Sequence, residues 1–128
     1  GHNWSEVAKT VATGLFDTVL CWYNCAMDEP ETTVFPEAAK HGTGVVIMNA
    51  TRIDKLLESE DAPPIEGFYR YVLSHPAVSV VLRGLRDPLS RFEHVAQALA
   101  EKATMAPKER ERYEAYGRRM HEAGALDL

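Results

Sequence analysis

The six residues from Arg83 to Pro88 combine residue types that bind anions. Gly84 permits close approach of the backbone, and Arg83 and Arg86 supply positive charge. A helix that begins at Pro88 would add free N–H groups and the positive end of its dipole. Asp87 supports a second interpretation, because its carboxylate can cap that helix and occupy the same N–H groups. These residues alone leave open both a phosphate site and a capped structural turn.

Metal and thiol chemistry find little support in the sequence. Cys21 and Cys25 are the only cysteines, and their spacing of four suits neither a disulfide scaffold nor a metal ribbon. We expect two reduced thiols in a cytosolic protein. The five histidines lack the spacing of a zinc site, and they stand at His2, His41, His75, His94 and His121. We therefore predict no metal site.

Composition limits the classes of protein to consider. The 128 residues are 45% hydrophobic and 26% charged, which suits one globular domain over residues 1–128. Fourteen basic and 19 acidic residues give a net charge of −5, which disfavours a nucleic-acid partner. No apolar run approaches the ~20 residues that cross a membrane, and no leader pattern opens the chain. We expect a cytoplasmic protein without nucleic-acid or membrane partners.

Helical and strand patterns alternate along the sequence, and the elements they predict must position the anion-binding residues. Ser5 is expected to cap a first helix that Gly14 ends. Strand patterns occupy residues 16–23, 45–49 and 78–82. Further helical patterns occupy residues 34–40, 65–73, 88–102 and 107–122, with a loop over 27–33 and a helical turn over 53–57.

The second and third strand patterns, 45–49 and 78–82, are apolar at successive positions. Continuous apolar runs are typical of strands covered on both faces, as in parallel sheets. The strand centres lie about thirty residues apart, the length of a βαβ unit. The sequence therefore predicts an α/β fold with a parallel sheet of about three strands and flanking helices.

Three parallel strands make a small sheet, and both of its edges would carry unpaired backbone groups. We therefore expect the chain either to assemble with something or to form part of a larger closed sheet. The first helix also lacks the strand that would normally precede it. Gly1-His2-Asn3-Trp4 is typical of the loop that ends such a strand.

Four segments together resemble one known family. Residues 69–86, YRYVLSHPAVSVVLRGLR, are similar to the last helix–strand unit of the aldo-keto reductases. Phe16-Asp17-Thr18-Val19 with Tyr23-Asn24 is similar to the sixth strand of that family, and HGTGVVIM from His41 is similar to its seventh. Gly1-His2-Asn3-Trp4 resembles the loop after its fifth strand.

The resemblance implies a partial (β/α)8 (TIM) barrel that corresponds to strands six to eight, in a family that reduces carbonyl groups with NADPH. The catalytic residues of the family belong to the first half of the barrel, so the resemblance assigns no catalytic residue to this chain. It implies an NADP(H)-binding half that needs an N-terminal barrel half as its partner. A small-molecule carbonyl compound would be the substrate of the assembled barrel.

The resemblance also assigns cofactor contacts to individual residues. They are Gly84, Leu85, Arg86, Asp87, Glu93, His94, Asn24 and His2. Arg86 would pair with the ribose 2′-phosphate, because its fork of donors fits an oxyanion. Three positions depart from the family pattern, namely Leu20 for Gln, Asn49-Ala50 for Lys-Pro or Ser-Pro, and His94 for Asn. From spacing alone, Asn24 could equally satisfy a turn.

Two further functions stay open beside the oxidoreductase portion. A non-catalytic half-barrel could bind itself or other partners through its open sheet edges. The departures at Leu20, Asn49 and His94 fit a chain under relaxed demand to bind the cofactor. Alternatively, two half-barrels could build a new site around the carboxylates of Asp17, Asp28 and Glu29. Trp22 and Tyr23, at the end of the first strand, are expected to be either a ligand wall or an interface anchor.

Overall fold

The computed structural model describes residues 3–83 and 104–126. The predicted helix over 88–102 and the turn over 84–88 lie outside this range. In chain order, the elements are α1 (Trp4–Ala12), β1 (Thr18–Trp22), α2 (Val34–His41), β2 (Gly44–Met48), α3 (Ile65–Leu73), β3 (Val78–Val81) and α4 (Pro107–Glu122). Short 3-10 helices occupy Glu29–Glu31 and Lys55–Leu57.

The three strands form one parallel sheet in the order β1-β2-β3. Helix α2 connects β1 to β2, and α3 connects β2 to β3. The prediction of an α/β fold with a three-stranded parallel sheet and flanking helices is therefore confirmed. Among the described residues, no helix combines the length and the apolar character needed to cross a membrane.

Strand pairing is regular between β1 and β2 and irregular between β2 and β3. Thr18 pairs with Gly44, and the register continues to Trp22 and Met48. Between Val45 and Val46 the register with β3 shifts by one residue. The backbone N–H of Val45 there donates to Ser79 Oγ at 3.2 Å. A side-chain hydroxyl thus accepts the hydrogen bond at the irregularity.

The helix ends differ in part from the prediction. Asn3, and not Ser5, caps α1, because its Oδ1 accepts the N–H of Glu6 at 3.4 Å. Gly14 follows α1 with a φ of 70°. Gly42, with a φ of 66°, ends α2 one residue later than expected. Both glycines adopt the left-handed conformation that stops a helix at low steric cost.

Strands β1 and β3 are shorter than their predicted patterns, and β2 is offset from its pattern by one residue. Strand β1 spans five residues and not residues 16–23, and β2 ends at Met48 because Asn49 adopts a φ of 64°. The loop predicted over residues 27–33 contains the 3-10 turn Glu29–Glu31, which has Pro30 near its start. The helical turn predicted over residues 53–57 covers only its last three residues.

Only one face of the sheet is fully buried. Cys21, Val45 and Ile47 point into the core, whereas alternate positions along β2 are half-buried. On the other face, Leu20 is 43% exposed and Val80 is 46% exposed. The expectation that both faces are covered is therefore wrong for the described residues. A continuous apolar run indicates that a strand can be buried on both faces, but it does not indicate which segments bury them.

Helix α4 packs on the rest of the chain through long side chains, among them Tyr113, Tyr116 and Arg110. Tyr113 Oη donates to the carbonyl of Pro64 at 2.6 Å, and Tyr116 Oη donates to that of Leu56 at 2.7 Å. Arg110 donates to Glu31 at 2.7 Å and to the Tyr23 hydroxyl at 3.3 Å. The charge-rich sequence of residues 107–122 is typical of a solvated helix, but the face with Tyr113, Tyr116 and Gly117 is buried.

Gly117 sets how closely α4 approaches the loop after β1. A Cβ atom at this position would lie 2.1 Å from the carbonyl oxygen of Cys25 and 2.8 Å from the backbone nitrogen of Ala26. Backbone atoms cannot rotate away as a flexible side chain can. The absence of a side chain at Gly117 therefore allows the contact.

We predict that Gly117→Ala lowers the free energy of unfolding by about 1–3 kcal/mol through overpacking. Helix propensity alone predicts the opposite sign, a gain of about 1 kcal/mol. Urea denaturation followed by circular dichroism measures the difference. Ala115→Gly, at an exposed position of the same helix, is the control and should cost only the propensity difference. A more stable Gly117→Ala variant would show that the contact is looser than described.

Candidate functional site

The carboxyl ends of the three strands lie along one side of the sheet because the strands are parallel. Ligands in parallel α/β folds bind at this side. We call it the carboxyl edge. It consists of residues 23–29 after β1, 49–54 after β2 and 82–83 after β3.

Asn24 joins the ends of β1 and β2 through a fully buried amide. Its Nδ2 donates to the carbonyl of Asn49 at 2.8 Å, and its Oδ1 accepts the N–H of Ala26 at 2.9 Å. Its backbone also pairs with Met27 in an isolated bridge. The side-chain amide thus forms one hydrogen bond within the turn after β1 and one with the end of β2. A cofactor contact by Asn24 stays a prediction.

The segment after β2 has an unusual backbone. Asn49, Arg52, Ile53 and Asp54 have φ values of 64°, 54°, 54° and 63°. Left-handed conformations are uncommon outside glycine, and they concentrate at functional sites. No glycine marks the segment from residue 49 to residue 54. Sequence reasoning therefore had no signal for this bend, since glycine is the residue that usually predicts one.

Arg83 and Asp54 hold that segment against the end of β3. Arg83 Nη1 donates to Asp54 Oδ1 at 2.6 Å and to Thr51 Oγ1 at 3.2 Å. The Thr51 hydroxyl donates to the same Asp54 oxygen at 2.9 Å. Burial is the largest single influence and lowers the pKa of Arg83, but the hydrogen bonds and charges of Asp54 and Tyr69 together outweigh it, so the pKa of Arg83 is raised. The positive charge that the sequence assigned to an anion site is thus neutralised by Asp54.

A cavity of about 510 Å³ lies at the carboxyl edge, between the loop after β1 and the last turns of α4. Trp4, Met27 and Leu126 supply apolar walls, and Arg52 supplies a charge. We call it the carboxyl-edge cavity. Two other cavities, of about 540 and 500 Å³, share Glu31, His75 and Pro76. The second of them also reaches the start of β2 at Gly44.

Arg52 is the buried charge of the carboxyl-edge cavity. It is only 8% exposed, and its Cζ lies 5.1 Å from the centroid of the Trp22 ring. Within residues 3–83 and 104–126, no group accepts a hydrogen bond from its buried Nη1. Sequence reasoning missed Arg52, because a lone arginine in a polar connection resembles any surface arginine.

Several residues that the sequence singled out occupy other places than expected. Tyr23 is fully buried in the core, 4.9 Å from Phe35 between ring centroids, so it is neither a ligand wall nor an interface anchor. Asp17 precedes β1, and its carbonyl accepts the N–H of Gly44 at the opposite end of the sheet. Within one chain, Asp17 therefore lies at the other end of the sheet from Asp28 and Glu29, and a shared site between two copies stays a prediction.

Most of the predicted cofactor contacts cannot be placed relative to this edge. Seven of them lie outside the described residues, namely Gly84, Leu85, Arg86, Asp87, Glu93, His94 and His2. These assignments stay predictions from the resemblance.

The two cysteine thiols are buried and unpaired. Burial raises the pKa of Cys21 to about 11 and that of Cys25 to about 12. Both thiols are consequently protonated near neutral pH, although Cys25 lines the carboxyl-edge cavity. Within the described part of the chain, no three histidine, cysteine or acidic side chains are grouped as metal ligands.

Comparison of the chain with protein-family models, with curated proteins and with solved structures found no match. The resemblance to the aldo-keto reductases therefore rests on the sequence motifs alone.

We predict that neither thiol reacts readily in the folded chain at pH 7.5. The thiolate is the reactive form, and raised pKa values leave little of it. Alkylation by iodoacetamide, followed by mass spectrometry, should be at least about 100-fold slower in the native chain than in urea. Rapid modification of native Cys25 would contradict the burial and the protonation state assigned to it.

Proposed function

We propose that the chain is the NADP(H)-binding half of a (β/α)8 barrel of the aldo-keto reductase type. It would act in the cytoplasm with a catalytic half supplied by another chain or by a longer parent. The assembled barrel would reduce a small carbonyl compound. Gly84, Arg86 and Asp87 would hold NADP(H), which would supply the hydride for this reduction, and the catalytic half would supply the proton.

The one-sided burial of the sheet is the observation that carries this proposal. In a (β/α)8 barrel, helices cover the outer face of each strand, and the opposite strands cover the inner face. Here Cys21 and Ile47 are buried with the helices, whereas Leu20 and Val80 stay partly exposed on the opposite face. The sequential strand order β1-β2-β3 is also the order of neighbouring barrel strands.

The position of Arg83 at the end of β3 supports a cofactor site in the segment that follows in the sequence. The ion pair between Arg83 and Asp54 fixes Arg83 at the carboxyl edge. The turn that contains Gly84, Arg86 and Asp87 starts directly after it in the sequence. Since Asp54 already neutralises Arg83, Arg86 is the arginine that we assign to the 2′-phosphate of NADP(H).

We predict that Arg86→Ala removes the preference of the chain for NADPH over NADH. The wild-type chain should bind NADPH at least about tenfold more tightly than NADH, because a charge-assisted fork to phosphate is lost with NADH. Fluorescence titration with each nucleotide measures both affinities. Arg112→Ala, at an exposed position of α4, is the control. If the wild-type chain binds neither nucleotide, or if both variants behave alike, the assignment is wrong.

The same exposed sheet face supports one alternative, a non-catalytic half-barrel that associates with a second copy of itself. Leu82, two residues beyond Val80, is 50% exposed. Apolar side chains on an open sheet face favour association, since association removes them from water.

For this alternative we predict that the wild-type chain forms a dimer and that Leu82→Lys is a monomer. Leu15→Lys should remain dimeric, because Leu15 is 81% exposed but lies outside the strands. Light scattering over a range of chain concentrations gives the mass of each. A monomeric wild-type chain at all concentrations would exclude self-association and leave the catalytic half as the partner.

A further inference from the structure

We infer that the carboxyl-edge cavity binds a small molecule through a carboxylate or phosphate group held by Arg52. The inference does not depend on NADP(H) binding, because it uses none of the residues assigned to that cofactor. It rests on the burial of Arg52, on the backbone that positions it, and on the walls and rim of the cavity.

The guanidinium of Arg52 is more buried than its contacts with the described residues explain. A buried charge is unfavourable unless hydrogen bonds or an opposite charge compensate for it. The Trp22 ring, 5.1 Å away, offers a cation–π contact. Nη1 nevertheless donates to no acceptor in the described residues. A planar fork with a free donor suits an oxyanion, which can accept two parallel hydrogen bonds.

The backbone around Arg52 is held in a disfavoured conformation. Arg52, Ile53 and Asp54 are consecutive non-glycine residues with positive φ values. Arg83 and Thr51 keep the bend in place through Asp54. Ile53 stays 52% exposed, so burial of its side chain does not explain the bend. Strain of this kind persists where it positions a functional side chain, and here the side chain that reaches the cavity is that of Arg52.

The walls and rim of the cavity narrow the class of ligand. Its volume of about 510 Å³ falls within the range of small-molecule sites. Trp4, Met27 and Leu126 form apolar walls around a buried cation, which favours an oxyanion attached to a short apolar body.

The rim carries charges of both signs. Asp28, Glu29 and Glu122 oppose Arg118 and His121, and all five are exposed. Water and salt screen exposed charges, so the rim contributes little binding energy. Arg52 is the one buried cation among the described residues that line the cavity, and one buried cation matches one oxyanion group. We therefore assign the cavity to a molecule with one oxyanion group and not to a dinucleotide.

The binding test uses isothermal titration calorimetry of the full chain with inorganic phosphate, hexanoate and, as a neutral control, hexanol. We expect phosphate or hexanoate to bind with 1:1 stoichiometry and hexanol not to bind. Arg52→Met should weaken the observed binding about 10- to 100-fold. Arg118→Met, on the exposed rim, should change it less than about twofold.

The probe that binds identifies the natural ligand as a phosphate or a carboxylate compound. If neither probe binds, or if both variants weaken binding equally, the proposed site is refuted. Titration of Arg52→Met with NADPH tests whether this site is independent of the cofactor site in the proposed function. An affinity equal to that of the wild-type chain is expected, since the two sites use different residues.

A stability measurement separates a ligand-binding arginine from a structural one. Without ligand, Arg52→Met should unfold at the same urea concentration as the wild-type chain or at a higher one, because it removes a buried charge whose Nη1 has no acceptor among the described residues. A lower midpoint, or a variant that does not fold, would show that Arg52 serves the fold and would overturn the inference.

Discussion

One buried amide organises the carboxyl edge of this protein. Asn24 donates to the carbonyl of Asn49 and accepts the N–H of Ala26. Leaving one buried backbone partner unsatisfied costs about 1–3 kcal/mol, so this interaction fixes where the chain leaves both strands. The bend that carries Arg52 starts at Asn49, and Ala26 lines the carboxyl-edge cavity. The position of the cavity thus depends on the same contact that ends β1 and β2.

Sequence patterns predicted the helices, strands and helix ends that depend on local composition. The apolar runs of β2 and β3 and their spacing indicated a parallel α/β sheet, and Gly14 marked the end of α1 through its left-handed conformation. The bend after β2 was not predictable in this way, because it contains no glycine and Arg83, 29 residues from Asp54, holds it in place. The buried role of Arg52 likewise depends on elements distant in the chain. Tertiary contacts therefore determined the site, while local propensity determined the elements.

The exposed sheet face connects the fold to the proposed function. A run such as Val45 to Met48 can be buried on both faces, but nothing in the run specifies which segment covers each face. Here the helices cover the side of Cys21 and Ile47, and Val80 remains partly exposed on the other side. The catalytic half that we propose, or a second copy of this chain, would bury that face. The carboxyl edge would remain accessible in either case, because ligands approach from the strand ends and not from the faces.

The claim that this chain binds ligands at the carboxyl edge is central to both proposals. Nuclear magnetic resonance of the ¹⁵N-labelled chain, titrated with NADPH and then with phosphate, tests it most directly. We predict that NADPH shifts amide signals of residues 83–94 and that phosphate shifts those of residues 49–54. The amides near Gly44 and Ser79, at the opposite end of the sheet, should not move. Shifts confined to that opposite end, or no shifts with either ligand, would contradict the account.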